Sequence, residues 1–144
     1  MRTVTVRPPS FPDVPPDHPL GIEPGRVWQV LCGDPGHWRT GVYSPAATSA
    51  TQCPELERHD GPELFLLVTG RVTLLLADGA GGVRPLALEP LQPVLVSAPH
   101  AGFCPDGPHA GCALVVERDA FTTEYREPAG WHEAAGCGRP ESEP

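Results

Sequence analysis

The sequence contains no lysine and no asparagine, and its ten basic residues are all arginine. Without lysine, neither a Schiff base nor a lysine general base is available. The arginines are outnumbered by eighteen acidic residues, leaving a net charge of −8. No basic patch stands out, which argues against nucleic acid and against an anionic membrane surface as partners. Five cysteines are present (Cys32, Cys53, Cys104, Cys112 and Cys137). Their number is odd and none forms a C-x-x-C pair, so neither a disulfide framework nor a zinc finger is indicated. No run approaches about 18 apolar residues, the length a membrane helix needs. No charged segment leads into an apolar core at the start, so no secretory signal is expected and a reduced, cytoplasmic protein is. A G-x-S-x-G elbow, a phosphate-cradling loop and a glycine fingerprint between strand and helix are all missing.

Proline and glycine are abundant: 20 and 16 residues, together about a quarter of the chain. The length of 144 residues suits one domain with a single core. Residues 1–25 hold Pro8, Pro9, Pro12, Pro15, Pro16, Pro19 and Pro24. Prolines at that frequency forbid helix and deny a sheet its donors, so an extended arm is expected, along the surface or across to a partner subunit. Residues 26–127 read as short strands separated by turns. Strands are expected at Val27–Cys32, Trp38–Ser44, Leu64–Val68, Arg71–Ala77, Val83–Leu88, Pro93–Ala98, Cys112–Arg118 and Phe121–Arg126. Asp78-Gly79-Ala80-Gly81-Gly82 is a hairpin turn by its chemistry. Residues 45–53 read as loop, and 128–144 as a loose, glycine-rich, acidic tail. No helical periodicity extends beyond about ten residues, so the expected class is all-β, a sandwich or barrel.

The stretch Glu57-Arg58-His59-Asp60-Gly61-Pro62-Glu63 carries the chemistry. Glu57 and His59 leave the same face of an extended strand. Glu63 opens the next strand after a tight Asp-Gly-Pro turn and can fold back beside them. Two carboxylates and an imidazole on one face could hold a divalent metal, or form a polar patch at a barrel mouth. His100 and Cys104 share parity on an extended segment, so both could face inward. A Cys104–His100 nucleophile is disfavoured, because Asp106, Glu63 and Glu57 would raise the thiol pKa. His37, His109 and His132 carry no motif. Trp28, Trp38, Tyr43, Phe65 and Phe103 read as core, with one or two available to line a ligand pocket.

These residues resemble the cupin superfamily of small jelly-roll barrels. The family's first motif runs His-x-His, three or four residues, Glu, six residues, Gly. Here His59-x3-Glu63-x6-Gly70 matches its second half without a gap, and Glu57 stands in the place of the first histidine. In the second motif Pro99 aligns, with Ala101 where glycine is usual and Cys104 where the histidine ligand is usual. The strand Ala113–Arg118 is similar to the one following this motif in many small cupins, including hydroxyanthranilate dioxygenases, whose ungapped alignment places Phe103 at the metal histidine. The resemblance covers roughly residues 27–126 and implies a jelly-roll barrel there, flanked by the proline-rich arm and the loose tail read from composition. It also implies a metal site from Glu57, His59 and Glu63, completed by Cys104 or His100. Zinc, iron, manganese or nickel would suit such donors. Two functions follow as expectations: a metal-dependent dioxygenase- or isomerase-like enzyme acting on a small organic molecule, or a metal-free barrel binding a small ligand or partner. A homodimer is expected in either case, because many short strands leave edges to cover.

Overall fold

The computed structural model describes residues 1–132. Along the chain run β1 (Arg2–Val6), β2 (Trp28–Asp34), β3 (Trp38–Tyr43), β4 (Leu56–His59), β5 (Glu63–Thr69) and β6 (Thr73–Ala77). They are followed by β7 (Val83–Ala87), β8 (Val94–Val96), β9 (His100–Phe103), β10 (Cys112–Arg118) and β11 (Phe121–Arg126). Two short 3-10 turns, Ala50–Gln52 and Pro128–Gly130, are the helical elements among the described residues. The strands form a six-stranded sheet in the order β1-β11-β4-β9-β6-β7 and a five-stranded sheet in the order β2-β3-β10-β5-β8. Every strand pairing is antiparallel. This is the all-β jelly-roll architecture expected from the turn-spaced strands.

The core lies between the sheets because side chains alternate across each strand. Phe65 of β5, Leu74 and Leu76 of β6, and Ala113 and Val115 of β10 point inward and pack together. Their odd or even neighbours, such as Leu64 of β5 and Arg118 of β10, face solvent. A smaller cluster of Leu56, Leu75 and Trp131 sits on the other face of the six-stranded sheet. Residues 128–132, the first part of the expected tail, are therefore packed onto the barrel through the Trp131 indole.

Two turns behave as their residue chemistry dictates. The Asp78 carboxylate accepts hydrogen bonds from the backbone N–H groups of Ala80 and Gly82 at 2.8 and 2.9 Å, closing the β6–β7 hairpin. Gly70 has φ of +66°, and a Cβ there would collide with the Ala110 carbonyl oxygen, so only glycine fits.

The proline-rich arm is less uniform than its composition suggests. Residues 2–6, Arg-Thr-Val-Thr-Val, precede the first proline and form β1 against β11 of the same chain. Farther on, Ser10 is tied to the buried Asp119: its N–H and its hydroxyl both donate to the Asp119 carboxylate, at 2.7 Å each. The second Asp119 oxygen accepts from the Gly36 N–H at 2.7 Å. The arm is held by polar contacts that no hydrophobic pattern would reveal.

Candidate metal and ligand site

The interior of the barrel contains a cavity of about 290 Å³. Four strands bring acidic and imidazole side chains to it: β4 supplies Glu57 and His59, β5 Glu63, β9 His100 and β10 Glu117. Register explains the convergence. Glu57 lies directly across from His100, and His59 directly across from Thr123. The tight Asp60–Pro62 turn returns the chain so that Glu63, the first residue of β5, sits beside His59.

The geometry centres on the Glu63 carboxylate, which is almost fully buried. One of its oxygens is 3.1 Å from His59 Nε2, and the other is 2.9 Å from His100 Nε2. Despite the short distance, His100 Nε2 has no hydrogen-bond partner of acceptable angle and is itself buried. The far side of each ring is anchored. His100 Nδ1 lies 3.0 Å from the Ala98 carbonyl oxygen, and His59 Nδ1 2.5 Å from the Thr123 hydroxyl. A carbonyl only accepts, so Nδ1 of His100 must carry the proton, which leaves the lone pair of the neutral ring on Nε2, facing the cavity. Thr123 can accept from His59 in the same way. Once both rings are neutral, their two Nε2 nitrogens and the Glu63 carboxylate converge in the donor arrangement a metal ion would occupy; without an ion the same nitrogens hold protons towards Glu63.

Two further carboxylates flank this group. Glu57 comes within 3.8 Å of His100 Nε2, and Glu117 within 3.8 Å of His59 Nε2. Ligand-capable atoms fall within metal-binding reach of one another in two overlapping sets: Glu57, His59 and His100, and His59, Glu63 and Glu117. Glu117 is held from behind by Arg39, its cross-strand neighbour, whose Nε donates to it at 2.7 Å. Arg39 also donates through Nη1 to the Ser10 carbonyl at 2.9 Å, and its guanidinium lies over the rings of Phe121 and Trp28.

Charge and burial compete at every group. Burial opposes the charged form of His100, but contact with Glu63 and the charges of Glu63 and Glu57 outweigh it and raise the pKa to about 9. His59 is raised by the same balance, with Glu63 again the chief opponent of burial. The two imidazoles hold Glu63 well below the usual carboxylate range, against its burial. Glu117 is pushed up to about 7, first by burial and then by Glu63, with Arg39 pulling the other way. Burial, reinforced by Glu57, drives the Tyr43 phenol far above its ordinary value.

Of the residues named from sequence, Glu57, His59, Glu63 and His100 are brought together. Cys104 is not. It is fully buried in the apolar core, with its thiol directed at the Gly111 carbonyl 3.4 Å away. Shared parity with His100 was a sound reason to expect burial but not proximity, because four residues of extended chain span about 13 Å. Phe103 turns to the opposite face and packs against the Leu56–Trp131 cluster. Glu117, Arg39 and Thr123 were not singled out. Glu117 had a readable signal: it shares parity with the inward apolar residues Ala113 and Val115.

No family model matches the chain, and no curated protein matches it. Solved structures do. The Fe(II) form of HppE aligns over 80% of this chain and 64% of its own length, with a TM-score of 0.53 and 13% identity. Hydroxypropylphosphonic acid epoxidase from S. wedmorenis aligns over 82% and 62%, with a TM-score of 0.51 and 14% identity. A cupin-2 domain containing protein from Shewanella frigidimarina ncimb 400 aligns over 67% and 84%, with a TM-score of 0.49 and 10% identity. The chain has the cupin fold. It spans less than two thirds of the length of the HppE structures. At these identities the likeness speaks for the barrel, and the chemistry of the site is read from its own side chains. Among the described residues, no helix is long and apolar enough to cross a membrane.

Proposed function

We propose that this cupin is a divalent-metal-dependent enzyme acting on a small organic molecule. His59, Glu63 and His100 hold the ion, and Glu57 stands at a further position. The observation that carries this reading is the meeting of two anchored imidazole nitrogens on one buried carboxylate, with His100 Nε2 left without a hydrogen bond. Two histidines and one carboxylate with open positions form the donor set of non-haem iron(II) oxygenases, so iron(II) is the favoured ion. HppE, described in iron(II) and cobalt(II) forms, supports that choice. When bound, such an ion supplies Lewis-acid polarisation and, as iron(II), oxygen chemistry. The protein's own part is to orient the donors and keep bulk water out. Ala98 and Thr123 fix the two rings, Arg39 fixes Glu117, and Trp28, Phe65 and Phe121 wall the space beside them.

Metal analysis tests the proposal, using untagged protein purified without chelator and reloaded anaerobically with iron(II). About one ion per chain is expected, with loss in both His59→Ala and His100→Ala. Wild-type protein that holds no ion after reloading would sink the reading. One observation favours a metal-free barrel instead: His59 and His100, both with raised pKa, can share the buried charge of Glu63 as imidazoliums without any ion. That alternative requires the same experiment to give no metal and both histidines to remain protonated by NMR at pH 7.

A further inference from the structure

Of the inward residues of β10, Ala113 and Val115 join the apolar core, whereas Glu117 carries a carboxylate to the edge of the imidazole pair. Its side chain is 4% exposed, so a charge on it has to be met by the protein or by an ion rather than by water. Arg39 meets only part of it. The guanidinium donates through Nε to Oε1 at 2.7 Å, a single bond where a bidentate fork would engage both oxygens. Nη1 turns instead to the Ser10 carbonyl, which fixes the guanidinium in that one-pronged pose. Oε2 of Glu117 is left facing the site, 3.8 Å from His59 Nε2. Ligand-capable atoms of Glu117, His59 and Glu63 all lie within 4.8 Å of one another. Two buried carboxylates that close repel unless a proton or a cation stands between them. A glutamate hydrogen-bonded from behind, with its other oxygen turned to an imidazole, is presented as a ligating carboxylate is. Glu57, the other flanking carboxylate, is 35% exposed in its side chain, so water can carry its charge without help from an ion.

We infer that Glu117 is itself a ligand of the ion, a second buried carboxylate beside Glu63, and that it binds the ion more strongly than Glu57 does. This rests on the metal reading above. The donors are then His59, His100, Glu63 and Glu117, with one open position fewer than two histidines and one carboxylate leave. The two buried carboxylates cancel the charge of a divalent ion, and Arg39 balances Glu57. An ion displaces any proton on Glu117, because carboxylates ligate in the deprotonated form. Arg39 is the group that aims Oε2.

Cobalt(II) titrated anaerobically into the full chain tests this, with its visible ligand-field bands read directly and Kd taken from competition with a chelator. Three variants are compared, each first shown to be folded by the dispersion of its NMR spectrum. Glu117→Gln keeps the shape and can still accept from Arg39, but loses the charge. Glu117→Asp keeps the charge and stops one bond short, roughly 1.5 Å. Both should weaken cobalt(II) by at least about tenfold, and both should shift the ligand-field bands, because the donors on the ion change. Glu57→Gln should weaken it less than Glu117→Gln does. A carboxylate acting through its charge alone would leave Glu117→Asp at wild-type affinity. One acting only by steadying another ligand would leave the bands in place. Either result overturns the inference, as does a larger loss in Glu57→Gln than in Glu117→Gln. Should Glu117→Asp not fold, the bands of Glu117→Gln decide. Wild-type protein that binds no cobalt(II) sinks the metal reading beneath, whereas full binding by the wild type with both Glu117 variants within about threefold of it sinks this inference alone.

Discussion

Replacing Arg39 by methionine removes the counter-charge of a buried carboxylate while keeping an apolar stem between Phe121 and Trp28. The side chains of Arg39 and Glu117 are 10% and 4% exposed and meet at 2.7 Å. Removing one partner of such a pair leaves the other charge buried and uncompensated, which costs about 3–5 kcal/mol. Loss of the guanidinium–ring contact with Phe121 adds up to about 1 kcal/mol. Against a typical total stability of about 5–15 kcal/mol, the effect is large. With a urea slope of about 2 kcal/mol/M, the unfolding midpoint of the metal-free protein at pH 8 should fall by about 2 M. The double variant Arg39→Met/Glu117→Leu should recover most of the loss, because the stranded charge is then gone. The effect should also depend on pH. Glu117 is already raised to about 7 beside Arg39 and should rise further without it. A folded-state carboxyl pKa above its unfolded value lowers stability as pH rises between the two. The penalty of Arg39→Met should therefore shrink on acidification towards pH 5. A loss below about 1 kcal/mol at pH 8, or a double variant no more stable than Arg39→Met, would refute the argument.

Metal uptake should release protons, because His100 is protonated below about pH 9 in the free site and binds an ion only when neutral. Affinity should then fall at least about tenfold per pH unit on acidification from pH 8 to 6, since His59 is raised as well, by calorimetry in buffers of different ionisation heat, and a flat profile would contradict it. Cys104→Ala should leave metal stoichiometry unchanged while lowering stability by about 1–3 kcal/mol, because the thiol is buried in the core and belongs to neither group of ligand-capable side chains. Loss of metal in this variant would return Cys104 to the site. Gly70→Ala should cost at least about 1 kcal/mol by thermal denaturation, since it adds left-handed strain to a clash with the Ala110 carbonyl.

Much of this molecule is written in short-range pattern. Period-two alternation along Cys112–Arg118 and Phe121–Arg126 places both strands at their observed ends, because one face is buried and a slip of one residue would turn the core outward. The Asp-Gly-rich turns and the left-handed Gly70 are local chemistry and are readable for the same reason. The spacing from His59 through Glu63 to Gly70 likewise pointed to β4 and β5, two of the four strands that meet at the site. Strand β1 escaped notice because five proline-free residues open a segment otherwise dominated by proline, and its partner β11 lies more than 110 residues away.

What sequence order could not decide was which distant side chains share a centre. Parity tells inside from outside, yet it is silent on depth along the strand. His100 and Cys104 therefore looked equivalent until the register of β9 against β4 placed His100 across from Glu57. Arg39 and Glu117 belong to strands 78 residues apart, and only their pairing in the folded sheet turns two ordinary charges into a buried clamp behind the imidazoles. Residue order by itself determined an all-β barrel and the acidic–imidazole stretch within it. Tertiary structure decided the company that stretch keeps, because coordination and ion pairing fall off over a few ångströms and those distances exist only once the strands are in register.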